Sequence, residues 1–415
     1  MNSEASYLKF VTLLLAFLQF TIILDFMVLS PLGAMLLDDL RISTSQFGLV
    51  VSAYAFSAGA AGLLTAGFAD RFDRRKLLLF FYSGFLVGTL LCGVAPNYPM
   101  LLGARTITGL FGGVIGSISM AIVADLFALE TRGRVMGVIQ TAFAASQVLG
   151  IPIGLWLATR WGWHAPFLLI AAVGIAVGVV IAVYLRPVDK HLKEQTGHDP
   201  VAHLLRTVTT ADYLRGFAAT VFLATGGYML MPFGSAFAVN NLGLRLDQLP
   251  TLYMLTGVFA IFAGPILGRV SDRIGKYRVF LIATLAGMAL VAVYTRLGLT
   301  PFWEVAVLNV VLFFCVSGRM ISASALNSGV PLPADRGAYM SISSSMQQLS
   351  GGVASAVAGL IVVQTESGKI EHYETLGYVV VCAMLATIVL MYSIDRLVRG
   401  RASPQSVGVA SAARS

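Results

Sequence analysis

Residues Gly67–Lys76 read GFADRFDRRK, and residues Gly268–Arg278 read GRVSDRIGKYR. The pair Asp70–Arg71 returns as Asp272–Arg273, 202 positions later (70 to 272), and basic residues follow each pair within a few places. Each copy comes directly after the second long apolar run of its half of the chain. A charged turn set twice between apolar runs marks two copies of one membrane-embedded unit.

Composition agrees with that reading. Of the 415 residues, 57% are hydrophobic and only 12% are charged, against about a quarter charged in an ordinary soluble domain. The charges gather in short intervals between apolar stretches long enough to cross a bilayer. Twelve such stretches are expected, over residues 9–36, 46–68, 77–95, 99–126, 134–158, 164–185, 213–239, 248–270, 277–296, 301–327, 337–364 and 376–394. The first is too long for a cleavable leader and has only Lys9 ahead of it, so it reads as a span. The chain is therefore expected to be an all-α polytopic membrane protein, with twelve transmembrane helices in two pseudo-symmetric bundles of six. Residues 1–185 form the first bundle, 186–212 a linker, 213–395 the second bundle and 396–415 a disordered tail. The linker, RPVDKHLKEQTGHDPVAHLLRTVTTAD, is the longest polar stretch and leaves room for a short surface helix near His203–Arg206. The duplication has a second echo: Arg132–Gly133 ahead of segment 5 is matched by Arg336–Gly337 ahead of segment 11.

Lysine and arginine set the orientation. With the N-terminus in the cytoplasm, 21 of the 28 fall on inside loops and tails, Arg71, Arg74, Arg75, Lys76, Arg132, Arg134, Lys190, Arg273, Lys276, Arg278 and Arg399 among them. Five fall outside (Arg41, Arg160, Arg245, Arg296 and Lys369), and Arg105 and Arg319 lie within spans. Both termini are therefore expected in the cytoplasm, in a bacterial-type inner (plasma) membrane. The net charge of +8 is a topology signal and an attraction to anionic headgroups of the lipid bilayer. It is not a nucleic-acid footprint, being scattered over short intervals without aromatic interleaving.

Cys92, Cys315 and Cys382 lie in separate apolar spans without ligand spacing and read as small core hydrophobes. The five histidines (His164, His191, His198, His203 and His372) sit at loops or span ends, which argues against a histidine relay inside the membrane. No metal site or organic cofactor is implied. No Gly-rich phosphate loop, nucleophile–base pair or catalytic elbow appears, so neither an enzyme nor ATP-driven transport by this chain alone is expected.

Along essentially its whole length the chain resembles the major facilitator superfamily. That family's loop after the second helix reads roughly G-x-L-a-D-R-x-G-R-R, and Asp70, Arg71, Arg74 and Arg75 fit it. Ala66 stands at the first glycine, with Gly67 one place on, and Asp73 replaces the second. The later copy is closer, with Gly268, Asp272, Arg273, Gly275 and Arg278. Segment 4 offers Arg105-Thr-Ile-Thr-Gly109, similar to the R-x-x-Q-G motif with Thr108 in place of the glutamine. Segment 5 holds Gly150-Ile-Pro152-Ile-Gly154, similar to the G-P-x-x-G core of the antiporter motif, with Ile151 interposed and Ser146 where an earlier glycine is usual. The resemblance implies two bundles that rock about a substrate path between them. It also implies a charge cluster at the opening loop and a kinship with proton-coupled exporters of drug-like or small organic molecules.

Physical chemistry gives each motif a use. Asp70, Arg71 and Arg74 lie at the end of segment 2, and Asp125 lies near the same end of segment 4, so an Asp–Arg–Asp cluster can latch the inner ends of the bundles. Asp272 and Arg273 form the second copy, beside an uncharged Asn327, so the latch is expected to be asymmetric. The bland alternative is that these charges cap helices and enforce topology. Gly150, Pro152 and Gly154 are expected to bend segment 5. The glycines of segment 4 (Gly109, Gly112, Gly113 and Gly116) have the spacing of close-packing positions.

Of the 20 acidic residues, only Asp25 sits deep in a predicted span; Asp125 and Glu304 lie nearer span ends. An intramembrane carboxylate costs about 2.5–3.5 kcal/mol on insertion scales, so it faces a partner or a cavity. Arg105, in the outer half of segment 4, reaches toward it. The pair supports proton coupling, a purely structural ion pair, or contact with a cationic substrate. Arg319 in segment 10 has no acidic neighbour deep in its half, which fits anion binding or, alternatively, hydrogen bonds to carbonyls or snorkelling. Two buried arginines against one carboxylate favour neutral or anionic solutes. Thr21, Gln140, Gln147, Tyr228, Asn309, Gln347 and Gln348 are polar within spans and can contact a ligand or serve as helix–helix glue.

The expected function is a secondary active transporter of a small-molecule solute, acting as a monomer by alternating access and driving efflux with protons. Asp25 is then the protonation site, Arg105 its charge partner and Arg319 a substrate anchor. A proton-coupled importer or a uniporter is the rival within transport. A non-transporting sensor or scaffold is the rival outside it, and charges inside the membrane speak against the filled apolar centre it would have.

Overall fold

The computed structural model describes residues 4–65, 72–189, 206–332 and 335–402. A bilayer's interior offers no water to bond the backbone, so a crossing segment must satisfy its own N–H and C=O groups, as a helix does. A long helix answers each predicted stretch. The first half holds α1 (Glu4–Val28), α2 (Thr44–Thr65), α3 (Arg74–Gly93), α4 (Tyr98–Leu126), α5 (Thr131–Trp161) and α6 (His164–Tyr184). The second holds α7 (Ala211–Asn240), α8 (Leu249–Ile274), α9 (Lys276–Tyr294), α10 (Phe302–Asn327), α11 (Arg336–Ile361) and α12 (Tyr373–Ala402). Eleven of the twelve are long and apolar enough to cross a membrane. The other, α11, has the length at 26 residues, but six serines and two glutamines lower its hydropathy. Those side chains are tolerated because α11 packs between α2 and α7.

Two predicted runs break near one end, at the same place in each half. The run expected over 9–36 stops as α1 at Val28, turns through Pro31 and resumes as the short helix Gly33–Asp39. In α7 a 3-10 turn, Met231–Phe233, carries Pro232 and leads into Gly234–Asn240. Proline has no N–H to continue the ladder. Pro31 and Pro232 are 201 positions apart (31 to 232), the step that also separates Gly67 from Gly268. The two broken ends meet each other. Ser235 Oγ donates to Ser30 O at 3.1 Å, Ala34 N donates to Ser235 Oγ at 3.4 Å, and a Cβ on Gly33 would stand 2.9 Å from Pro232 O.

An even number of crossings puts both ends of the helical array on one face, here called the terminal face. The halves share an apolar core toward the other, far face. There it crosses from α1, α2 and α5 into α7, α8 and α12, whereas toward the terminal face each half keeps a separate core. Thr44 Oγ1 donates to Val362 O at 2.5 Å, and the rings of Phe47 and Phe233 meet edge to face at 5.7 Å. The α2–α11 crossing runs antiparallel on glycine: a Cβ on Gly48 would lie 2.8 Å from Ser355 O, and one on Gly359 2.7 Å from Thr44 O. Helix α2 also follows α11 toward the terminal face, where a Cβ on Gly59 would stand 2.7 Å from Leu349 and one on Gly62 2.9 Å from Ser345 Oγ. In contrast, α8 packs on the middle and outer part of α5 and hardly touches its inner half. Val258, Phe259, Phe262, Ile266 and Val270 of α8 are exposed.

Three details depart from expectation. Helix α12 runs to Ala402, past the start of the predicted tail at 396, and residues 403–415 lie outside the described residues. The loop after α11 holds a two-residue hairpin, Val363–Gln364 with Ile370–Glu371, held by hydrogen bonds between Asn241 and Ile370 of 2.8 and 2.9 Å. Cys92 and Cys315 are buried as expected, but Cys382 is exposed on α12. In the linker, residues 206–209 are helical, and the rest of the predicted surface helix lies outside the described residues.

Candidate functional site

Close packing of α4 on α2 builds the site. A Cβ on Gly109 would stand 2.3 Å from Tyr54 O, and one on Gly113 2.5 Å from Ala58 Cα, so only glycine lets the helices approach this far. Arg105, one turn before Gly109, enters the same crevice and lies over the Tyr54 ring at 4.7 Å. From α1, Asp25 meets it: Arg105 Nη1 donates to Asp25 Oδ2 at 2.7 Å and to Asp25 O at 3.4 Å. Thr89 of α3 donates its hydroxyl to Asp25 Oδ1 at 3.1 Å. Asp25 is 0% and Arg105 1% exposed, so the pair is wholly desolvated. Four helices of the first half thus converge on one carboxylate. Phe26 links this cluster to the second half, its ring 5.1 Å from Tyr54 and 6.0 Å from Tyr228.

Arg319 of α10 is the other deep cation. It is 3% exposed, and its Nε and Nη2 have no hydrogen-bond partner among the described residues. Tyr228 is half-buried, its ring packed over Gly351 of α11. Gln347 and Gln348 are half-buried on α11, and Gln348 Oε1 is without a partner among the described residues. Gln147 is buried at the α5–α8 crossing, and Gln140 is exposed on the inner half of α5. Thr21 and Asn309 are engaged within their own halves. Thr21 Oγ1 donates to Leu18 O and shares a bond with Tyr82 Oη at 3.1 Å; Asn309 Nδ2 donates to Tyr294 Oη at 3.3 Å and Val305 O at 3.0 Å. Thr21 also lines a small apolar pocket of about 140 Å³ between α1, α5 and α6, away from the second half.

The proposed latch is divided. Asp70 and Arg71 lie outside the described residues. Arg74 Nε reaches Asp125 Oδ2 at 3.3 Å, tying α3 to α4 at the terminal face. Arg74 N donates to Val188 O at 3.1 Å and the Arg75 guanidinium donates to Ala182 O, binding the same corner to the end of α6. In the second copy Asp272 and Arg273 are exposed and form no ion pair among the described residues. Asn327 is instead bonded to Thr220 at 3.0 Å and Tyr339 at 2.5 Å. The glycine that differs between copies also has a reason. Gly275 takes φ +101 at the end of α8, while Asp73 caps α3 by accepting from Lys76 N at 2.9 Å.

Segment 5 carries a π turn, Ser146–Gly150, immediately before Pro152. The missing N–H and the ring of Pro152 disturb the ordinary ladder, and a wider turn absorbs them. Ser146, Gly150 and Gly154 form a stripe one turn apart against Phe20, Leu24 and Val28 of α1: Ser146 Oγ donates to Phe20 O at 3.3 Å, and Cβ atoms on the glycines would stand 2.6 Å from Leu24 and 2.9 Å from Val28. At the same turn Gly257 of α8 lies so close that a Cβ would be 2.9 Å from Gln147 O.

Sequence reasoning missed Tyr54 and Thr89, which complete the Asp25 cluster, and Ser30 and Ser235, which join the far face. Tyr54 had a signal: in the run Ser52–Gly62 all but Tyr54 and Phe56 are small, and Tyr54 is the polar one of the two.

The family model of the Major Facilitator Superfamily matches residues 15–212 and 216–413. The "uncharacterized MFS-type transporter YceJ" of Bacillus subtilis (strain 168) is 25% identical over 378 residues, 89% of this chain and 94% of that protein. "Efflux pump dotC" of Dothistroma septosporum (strain NZE10 / CBS 128990) is 27% identical over 262 residues, 61% of this chain but 41% of that protein. A solved bacterial homolog of the human lysosomal transporter Spinster, in an inward-facing and unoccupied conformation, matches with TM-score 0.71. It covers 94% of this chain and 96% of its own at 17% identity, a likeness of fold.

Proposed function

The chain belongs to the major facilitator superfamily, and from that premise we propose that it is a proton-coupled exporter of a small organic solute. The observation that carries this reading is the Asp25–Arg105 pair, a 2.7 Å contact with both side chains essentially unexposed. A carboxylate held at such depth by one arginine and one hydroxyl can change charge when that arginine is drawn away. Solute arriving between the halves, or movement of α4 against α1, loosens the contact and lets Asp25 take a proton. Tyr54 and Phe26 carry the coupling, because the same rings touch the arginine and Tyr228 of the other half.

In this reading the terminal face is cytoplasmic and the far face external, as the lysines and arginines suggest. The far-face core and the thin α5–α8 contact toward the terminal face then fit a state opening inward on the α5–α8 side, while α2 still lies on α11 as far as Gly62 and Ser345. Outward opening separates the Pro31 and Pro232 ends and swings α5 against α8 about the π turn. Arg74 and Asp125, both in the first half, keep α3 and α4 together at the terminal face as it opens and closes.

Comparison of metabolites and toxin tolerance between a deletion strain and an overexpressor identifies a solute to follow. Its accumulation in inverted membrane vesicles, with and without a pH gradient, tests direction and coupling. Wild type is expected to accumulate it only with the gradient, and Asp25→Asn to lose that dependence. Gradient-driven accumulation by Asp25→Asn with an unaltered pH profile removes Asp25 from coupling, and accumulation only in right-side-out vesicles makes the protein an importer.

A further inference from the structure

The repeat that set the fold also aligns the two deep sites. Residues Asp25–Ala34 read DFMVLSPLGA, and Gly226–Ser235 read GGYMLMPFGS, with both proline and the following glycine in register at a step of 201 (31 to 232, 33 to 234). At that step the counterpart of Asp25 is Gly226 (25 to 226). In the first half the carboxylate at this position is met by a buried arginine from α4. In the second half the position carries no side chain, yet a buried arginine from α10 comes to it. A Cβ on Gly226 would stand 3.6 Å from Arg319 Nη1 and 3.8 Å from Nη2. Gly227 beside it is exposed and open, with nothing within 4 Å of where its Cβ would stand.

We propose that Arg319 and the Gly226–Gly227 backbone form a binding site for the carboxylate of a small organic monoanion, the solute supplying the group that Asp25 supplies in the other half. The proposal rests on the reading of the chain as a solute transporter and narrows its substrate class. Arginine's planar fork matches a carboxylate with two parallel hydrogen bonds, and burial strengthens each of them. Arg319 is 3% exposed and offers Nε and Nη2 without any protein acceptor among the described residues. The snorkelling alternative places the guanidinium at the membrane surface, whereas here it lies against the middle of α7. A neutral carbonyl can accept one hydrogen bond from this group but lacks the charge and the second oxygen, and a cation is repelled by it.

The test is thermal unfolding of the purified full-length protein with acetate, benzoate or octanoate, each against its neutral amide, and with chloride. A carboxylate, and not its amide, is expected to raise the unfolding temperature, with half-saturation about 30-fold or more weaker in Arg319→Gln. Gly226→Asp is expected to bring the missing carboxylate within the chain: it should unfold at a higher temperature than Gly226→Asn and ignore the added carboxylates. Equal effects of acid and amide, a full carboxylate response in Arg319→Gln, or no gain of Gly226→Asp over Gly226→Asn each overturn the proposal. A chloride response as large as that of every carboxylate makes it an inorganic-anion site and overturns it as well. None of these readouts involves transport or Asp25. Failure here therefore leaves proton-coupled export standing, and failure of export leaves the binding result standing.

Discussion

Neutralising Asp25 and Arg105 together should cost less than neutralising either alone. The pair is 2.7 Å apart and fully desolvated, and removing one member of such a pair costs about 3–5 kcal/mol because the other is left as an uncompensated buried charge. Asp25→Asn should fall toward the lower end of that range. Arg105 keeps the Asp25 backbone carbonyl at 3.4 Å and the Tyr54 face at 4.7 Å, and the ring contact alone retains about 0.5–2 kcal/mol. Arg105→Gln should fall toward the upper end, since the carboxylate keeps only the Thr89 hydroxyl at 3.1 Å. In Asp25→Asn/Arg105→Gln two amides face each other with no net charge, and the loss should shrink to about 1–2 kcal/mol, the scale of one neutral hydrogen bond and its packing. Reversible SDS unfolding in mixed micelles measures all four proteins. A double variant less stable than either single variant refutes the argument, because the pair would then act as two independent packing groups.

Three further outcomes follow from the same geometry. Gly257→Leu places side-chain atoms where a Cβ is already 2.9 Å from the Gln147 carbonyl, so it should weaken the far-face seam by about 1–3 kcal/mol. Maleimide labelling of Ala34→Cys in a cysteine-free background should rise with it; unchanged labelling rejects the seam as the closing contact. Arg74→Ala breaks a half-buried 3.3 Å ion pair and should cost about 1–3 kcal/mol in the same unfolding assay. Asp272→Asn, exposed in the second copy of the motif, should stay within about 0.5 kcal/mol of wild type; equal losses from the two would show that both copies do the same work.

The membrane fold was legible because its signals are costs. Backbone without water forces helices, and a buried charge forces a partner, so run lengths and the Asp25–Arg105 pair could both be read from residues alone. What carried no cost stayed hidden. Thr89 and Tyr54 are neutral, and nothing in a span marks the direction in which such a group points. Thr21 and Asn309 looked like ligand contacts for the same reason, yet each is hydrogen-bonded within its own half. Helix α11 was counted as a span with the other apolar stretches of crossing length, although its serines take it below the hydropathy of the other eleven. The breaks after Ser30 and Leu230 could have been placed, since Pro31 and Pro232 stand in register. Apolar run length alone passes straight through them.

The charges at the centre connect the two proposals and make one more test. With Asp25 ionised and no anion bound, Arg105, Arg319 and Asp25 carry a net charge of one positive unit. A protonated Asp25 with a monocarboxylate on Arg319 carries the same net charge, so proton and anion moving together leave the interior unchanged and the cycle electroneutral. Export in exchange for a proton is different: the loaded state is neutral and the return state carries two positive units. That cycle moves two charges in the direction favoured by a negative interior, which supplies about 4.6 kcal/mol per 100 mV. Proteoliposomes loaded with a radiolabelled carboxylate that binds Arg319, and clamped by a potassium gradient with valinomycin, separate the cases. Exchange by the proposed exporter should accelerate steeply with inside-negative potential; Asp25→Asn moves no proton and only one charge per anion, about 2.3 kcal/mol per 100 mV, and should respond about half as steeply. A rate indifferent to potential but sensitive to pH would mean that proton and anion travel together, and the protein would then be a cotransporter of the same solute through the same two arginines.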